Sequence, residues 1–169
     1  ETIITGCASC HLMLKDYVKL FGNEPERQAA EDLSNRVVHI AEFVARAKDK
    51  PAAAGSGTSR VTYHSSCHLR AAGVTREPRK ILSDLPGVEY VEMADADRCA
   101  GGAGTYIVKD YDTSQKIFER KRRAVEETGA DVVATSCPAC MIQLRHGLSN
   151  AKHVEVKHLA QVLQDSYEA

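Results

Sequence analysis

Asp131-Val-Val-Ala-Thr-Ser-Cys137-Pro-Ala-Cys140-Met-Ile-Gln-Leu144 decides the fold of this chain. Residues 131–135 are a short run of continuous apolar content, the signature of a buried strand. A Cys-x-x-Cys follows, and then an amphipathic helical pattern. The opening Glu1-Thr-Ile-Ile-Thr-Gly-Cys7-Ala-Ser-Cys10-His-Leu-Met-Leu14 aligns with this stretch without a gap, so the chain carries an internal repeat. A second correspondence lies downstream, where Val37-Val-His-Ile-Ala-Glu-Phe-Val44 resembles Val156-Lys-His-Leu-Ala-Gln-Val-Leu163. Each reads as a strand running into a closing helix.

Working outward, the second copy has cysteines upstream of its pair, Cys67 and Cys99, and the first has none. Residues 1–50 are therefore expected to be the C-terminal part of a first, truncated repeat. Residues 51–59, rich in Gly, Ala and Ser, read as a flexible linker, and 60–169 as the second repeat. Within it the pattern predicts a strand at 61–64, helix over 67–85 with Pro78 marking a start or break, and a strand at 88–93. A helix at 114–128 buries Ile117, Phe118, Lys121, Ala124 and Val125 and stops at Gly129. The strand at 131–135, a helix at 137–147, a strand at 154–156 and a helix at 159–163 complete the series. Alternation of this kind predicts an α/β fold with a mostly parallel sheet, flanking helices and right-handed crossovers.

The composition narrows function. With 22 Lys plus Arg against 23 Asp plus Glu, the formal net charge of −1 offers no basic face for nucleic acid. No apolar run reaches the length of a transmembrane helix, and the N-terminus lacks the pattern of a secretory signal. Six cysteines in a chain patterned throughout as helix and strand argue for metal or redox chemistry in the cytoplasm over a secreted disulfide scaffold.

In a parallel sheet, functional groups collect at the carboxyl ends of the strands. Cys67, Cys99, Cys137 and Cys140 all follow predicted strands, so four thiols from three strand ends can converge. A Cys-x-x-Cys at a helix start aims both sulfurs at one centre, and the helix N–H groups stabilise thiolates. The glycines after Cys99, Gly101 and Gly102, match neither a phosphate loop nor a dinucleotide fingerprint. They are expected to let backbone N–H groups approach the sulfur. Three chemistries use these residues: an iron–sulfur cluster on the four cysteines, a structural Cys₄ zinc site, or thiol–disulfide exchange at Cys137 and Cys140.

Tyr63-His-Ser-Ser-Cys67-His-Leu69, Glu77-Pro-Arg79, Pro86-Gly87-Val88, Cys99-Ala-Gly-Gly-Ala-Gly104 and Cys137-Pro-Ala-Cys140 resemble the cysteine-rich CCG domain. That domain occurs, usually twice per chain, in heterodisulfide reductase and in iron–sulfur subunits of glycolate oxidase, lactate-utilisation (lactate dehydrogenase) and anaerobic glycerol-3-phosphate dehydrogenase systems. The family order is Cys, a long spacer, Cys-Cys-Gly, a second long spacer and Cys-x-x-Cys. Here 31 residues separate Cys67 from Cys99, and 36 separate Ala100 from Cys137.

The resemblance implies a [4Fe–4S] electron-transfer component, not a stand-alone enzyme. It implies an FAD-containing dehydrogenase subunit that oxidises lactate or glycolate, other iron–sulfur subunits, and a quinone or other acceptor. It also implies a peripheral complex at the inner face of the membrane. The chain departs from the family at Ala100, where the second adjacent cysteine belongs. Four thiolates suit an ordinary cubane or Zn²⁺; the five-cysteine cluster that acts directly on disulfides lacks a ligand here.

By the repeat, Cys7 and Cys10 form a second, incomplete site, expected to be metal-free, oxidised to each other or disordered. His64, His68 and His11 adjoin cysteines and are read first as surface residues and second as supporting groups. The run 116–123 reads as a solvated basic helix face, and Asp95 and Asp97 as turn carboxylates with no catalytic partner.

Overall fold

Four parallel strands in the order β4-β3-β5-β6 carry the larger part of the molecule, and a two-stranded parallel pair, β1-β2, carries the rest. The computed structural model describes residues 1–47, 58–151 and 153–168. The expected linker at 51–59 lies outside the described residues save for Thr58 and Ser59, and Ser59 already opens a strand.

The chain begins β1 (Ile3–Thr5), α1 (Ala8–Lys15), a 3₁₀ turn at Tyr17–Leu20, α2 (Arg27–Arg36), β2 (Val37–His39) and α3 (Ile40–Arg46). It continues β3 (Ser59–His64), α4 (Cys67–Ala71), α5 (Glu77–Asp84), β4 (Val88–Tyr90), α6 (Tyr106–Lys109) and α7 (Tyr111–Thr128). It closes with β5 (Val132–Thr135), α8 (Pro138–Gly147), β6 (Glu155–His158) and α9 (Leu159–Glu168). The α/β class with parallel strands and flanking helices is the one the sequence pattern predicts. Among the described residues, no helix is long and apolar enough to cross a membrane.

Local chemistry sets the elements. The expected helix over 67–85 is two helices, because Gly73 adopts a left-handed φ of +83° and the chain restarts at Glu77 with Pro78 in the first turn. Gly129, at φ +61°, caps α7. The strand expected at 88–93 ends at Tyr90, and Met93 instead packs in an apolar cluster with Phe118 and Leu144. Ile117 lies outside the buried stripe of α7, at 38% exposure, whereas Phe118, Lys121, Ala124 and Val125 are buried.

Matching local geometry underlies the two sequence correspondences. Thr5 pairs with His39 across β1 and β2, and Thr135 pairs with His158 across β5 and β6. Each histidine then caps a helix. His39 Nδ1 accepts the Ala41 N–H at 3.1 Å while Glu42 accepts the His39 N–H at 3.0 Å. His158 Nδ1 accepts the Ala160 N–H at 3.1 Å while Gln161 accepts the His158 N–H at 2.8 Å. The spacing His-x-x-Glu or His-x-x-Gln is thus a capping box, satisfying N–H groups a helix start leaves open.

Residues 1–47 share a core with the larger sheet. Ala8 and Ala41 belong to the same buried cluster as Val61, Tyr63, Leu69 and Leu159, and Val44 and Ala45 pack against it. Polar contacts align the two at the strand ends. The Ala8 N–H donates to Ser136 O at 2.9 Å, and His158 Nε2–H donates to Gly6 O at 2.7 Å. Pro138, the counterpart of Ala8, has no N–H to offer Gly6, and the imidazole takes its place.

Candidate metal centre

β3 ends at His64, and Ser65 and Ser66 lead to Cys67 at the first residue of α4. Ser66 accepts the Leu69 N–H, so the strand-to-helix turn that presents Cys67 is capped by its own neighbour. β5 ends at Thr135, and Cys137 is the N-cap of α8 with Cys140 in its first turn. Cys7 is likewise the N-cap of α1, its sulfur accepting the Cys10 N–H at 3.5 Å. All six cysteines are free thiols: Cys137 is buried, Cys7 and Cys140 are half-buried, and Cys10, Cys67 and Cys99 are exposed. Cys7 and Cys10 thus repeat at α1 the placement of Cys137 and Cys140 at α8, one cysteine at the N-cap and one in the first turn.

The Cys99 loop is held by backbone carbonyls. Gln143 donates to Ala100 O at 3.0 Å, Ser114 to Gly101 O at 2.9 Å, and Lys121 to Asp95 O at 2.6 Å and Ala96 O at 3.3 Å. Arg79 adds two carboxylate contacts, to Glu92 at 2.8 Å and Asp97 at 3.0 Å, and lies over the Tyr63 ring. Gly101 and Gly102 serve this anchoring. A Cβ on Gly101, whose φ is +86°, would stand 2.6 Å from Ser114 O, and one on Gly102 would stand 2.7 Å from Gln143 Cβ. The Gly101 N–H also donates to Cys99 Sγ at 3.3 Å, the approach to sulfur anticipated for this turn. Ala100 is 2% exposed in the apolar cluster with Met93 and Phe118, so the position of the missing cysteine is filled as core.

The thiols sense one another. Cys140 donates a hydrogen bond to Cys137, and this holds the Cys137 thiol down to about 5 against the opposing effect of burial. Cys140 is pushed up by the same bond, by burial, and by the charges of Cys137, Cys67 and Cys99. Cys10 is raised by its bond to Cys7, with Cys137 adding to the effect. Among the described residues, no three Cys, His, Asp or Glu side chains are grouped to hold a single metal ion.

Two expectations about the surroundings are corrected. His64 and His11 are buried, at 1% and 0% exposure, because His64 lies within β3 in the central sheet and the His11 ring packs edge-on against His39. Burial lowers both imidazoles, His64 down to about 3 and His11 against the opposing charge of Glu42. His68 is exposed as expected, with Nδ1 2.7 Å from Ser9 Oγ, and Ser9 Oγ lies 3.9 Å from Cys137 Sγ. The basic run 116–123 is not wholly solvated: Lys121 is 2% exposed. Ser9, Gln143 and Lys121 are functional-site neighbours to which motif reading gave no role, while Arg79 lies in the quoted Glu77-Pro-Arg79 motif. Of the first three, Lys121, placed by its spacing on the buried stripe, left a sequence signal.

The pattern of the cysteine-rich domain family CCG matches residues 61–145, spanning Cys67, Cys99, Cys137 and Cys140. The chain belongs to the CCG family. Among its relatives, Lactate utilization protein A of Bacillus subtilis (strain 168) is 30% identical over 166 residues, covering 96% of this chain and 70% of that protein. The protein of the same name from Shouchella clausii (strain KSM-K16) is 32% identical with the same coverage. A fumarate reductase (CoM/CoB) subunit of Methanothermobacter marburgensis is 33% identical over 174 residues, covering 99% of this CCG chain and 32% of that protein. The family recognised from the cysteine and glycine motifs is the one these matches give.

Proposed function

We propose that this chain is an iron–sulfur electron-transfer subunit of an oxidoreductase, with a [4Fe–4S] cluster held by Cys67, Cys99, Cys137 and Cys140. The observation that carries the reading is the placement of Cys67 and of the Cys137/Cys140 pair at the helix starts that follow the paired parallel strands β3 and β5. Four thiol side chains are the donor set of a Cys₄ zinc site and equally of a cubane [4Fe–4S] cluster. When bound, it supplies a one-electron carrier.

The chain's residues do the rest. The Gly101 N–H donates to Cys99 sulfur, Ser9 contacts Cys137 sulfur, and the bond from Cys140 favours the thiolate of Cys137. Hydrogen bonds to sulfur favour the reduced state. The relatives named Lactate utilization protein A support lactate as the compound whose oxidation supplies the electrons; the donor is then a flavoprotein that oxidises such a hydroxy acid, and the acceptor a quinone or other carrier. The site would serve such a partner complex at the inner membrane face. Residues 1–50 are the tail of a first CCG repeat and 60–169 a second. Cys7 and Cys10 then supply two ligands of another site and leave it to be completed by other groups.

A second reading has one observation in its favour: Cys137 ionised beside protonated Cys140 is the arrangement of a thiol–disulfide exchanger. Anaerobic purification with iron, zinc and sulfide analysis separates these. Four irons per chain and a visible absorbance that bleaches on reduction are expected. Stoichiometric zinc, or no metal with all thiols intact, overturns the cluster reading.

A further inference from the structure

Lys121 is out of place for a helix surface lysine. It is 2% exposed, and its Nζ meets Asp95 O, Ala96 O and Met93 Sδ, with no carboxylate oxygen in contact among the described residues. Burying an ammonium without an ion-pair partner is costly, and a neutral hydrogen-bonding residue could tie two carbonyls at lower cost. The anions it does sense are Asp95, Asp97, Cys99 and Cys140, at longer range. Asp95 is already engaged by Arg98 and Arg120, and Asp97 by Arg79. A cavity of about 350 Å³ lies here, lined by Asp95, Arg98, Cys99, Lys116, Arg120 and Lys121, so the lysine and Cys99 share one wall. The loop between them is strained at Asp95, which holds a left-handed φ of +54°.

We propose that Lys121 is a positioning residue of the metal centre: it clamps the Asp95–Ala96 carbonyls that set the Cys99 loop, and its positive charge raises the reduction potential of the cluster bound by Cys99 and Cys140. The inference rests on the proposed cluster. Reduction adds an electron, and so negative charge, to the centre. A buried cation stabilises that state more than the oxidised one, because the low-polarity interior screens it weakly.

Two variants separate charge from shape. Lys121→Met keeps an unbranched stem and removes the charge; Lys121→Arg keeps the charge and the carbonyl bonds. Each is made in the full chain, loaded anaerobically and titrated by redox-monitored absorbance, with hydrogen exchange of the loop amides 95–101 followed in parallel. Lys121→Met is expected to lower the potential by about 59 mV, a tenfold change in the reduced-to-oxidised ratio, and Lys121→Arg to stay within a third of that shift. Faster loop exchange in Lys121→Met with an unchanged potential overturns the electrostatic role and leaves a merely structural clamp. If Lys121→Met holds no cluster, Lys121→Arg decides: a loaded Arg variant at the wild-type potential supports the proposal, and an empty one overturns it. A wild-type chain that takes up no iron is a different failure, that of the cluster assignment itself.

Discussion

Replacing Gly101 by Ala should damage the molecule through two separable effects. At φ +86° an alanine pays the left-handed penalty, roughly 1–2 kcal/mol. Its Cβ would also stand 2.6 Å from Ser114 O, a backbone atom of α7, and 3.4 Å from Ile117 Cβ. Relieving that overlap means moving the Cys99 loop off the helix and lengthening the Ser114–Gly101 hydrogen bond, with overpacking of this kind costing about 1–3 kcal/mol. The sum is roughly 2–5 kcal/mol. Gly104 is the internal control: its φ is +51° but nothing lies within 4 Å of where a Cβ would stand, so Gly104→Ala carries the backbone penalty alone. Urea unfolding of the two metal-free variants gives the difference directly. With a slope of about 2 kcal/mol per M, Gly101→Ala should unfold roughly 0.5–1.5 M below Gly104→Ala. Metal-free protein is used because a ligand bound to the native state would add its own stabilisation. Equal midpoints would refute the claim that the glycine permits close packing of the Cys99 loop on α7.

Gly147 makes a similar demand inside α8, where an added Cβ would fall 2.0 Å from the Phe118 ring; Gly147→Ala should cost about 1–3 kcal/mol in urea unfolding and regain much of it when combined with Phe118→Leu. Acid should destabilise the fold above the range of ordinary carboxylates. His39 and His64 are held down by burial to about 4 and about 3, against 6.5 when unfolded, so their stabilisation is complete above pH 6.5 and declines as pH falls. Between pH 6.5 and 5 the loss is about 2 kcal/mol for each, and a urea midpoint constant over that window would contradict it. Cys67→Ser should abolish iron retention while Cys7→Ser leaves the iron of the four-cysteine site in place; dithiol exchange at Cys137 and Cys140 that survives Cys67→Ser with wild-type metal content would favour the exchanger.

The cysteines, the Cys-x-x-Cys helix starts and the α/β class were legible because they rest on local rules. A short apolar run between turn signals such as Val132–Thr135 reads as a strand buried on both faces, and a cysteine after it falls at the carboxyl end. The correspondence of His39 with His158 was visible as a repeat, since a capping box is encoded within four residues. Spacing also put Lys121 on the inner stripe of α7, where it is found.

Tertiary structure decided what lies around those sulfurs. Burial of His11 and His64 depends on strands and helices that come from elsewhere in the chain, so their neighbours in sequence carry no sign of it. The clamp of Lys121 on Asp95 and Ala96 joins residues 25 and 26 positions apart, and Ser9 reaches Cys137 across 128. Ala100 turning into the core is likewise a property of the loop's path, fixed by Gln143 and Ser114 from two separate helices. Periodicity and spacing report which face of an element a residue occupies. They hold no information on which other element that face meets, and it is the meeting of elements that sets burial, charge and hydrogen bonding at the sulfurs.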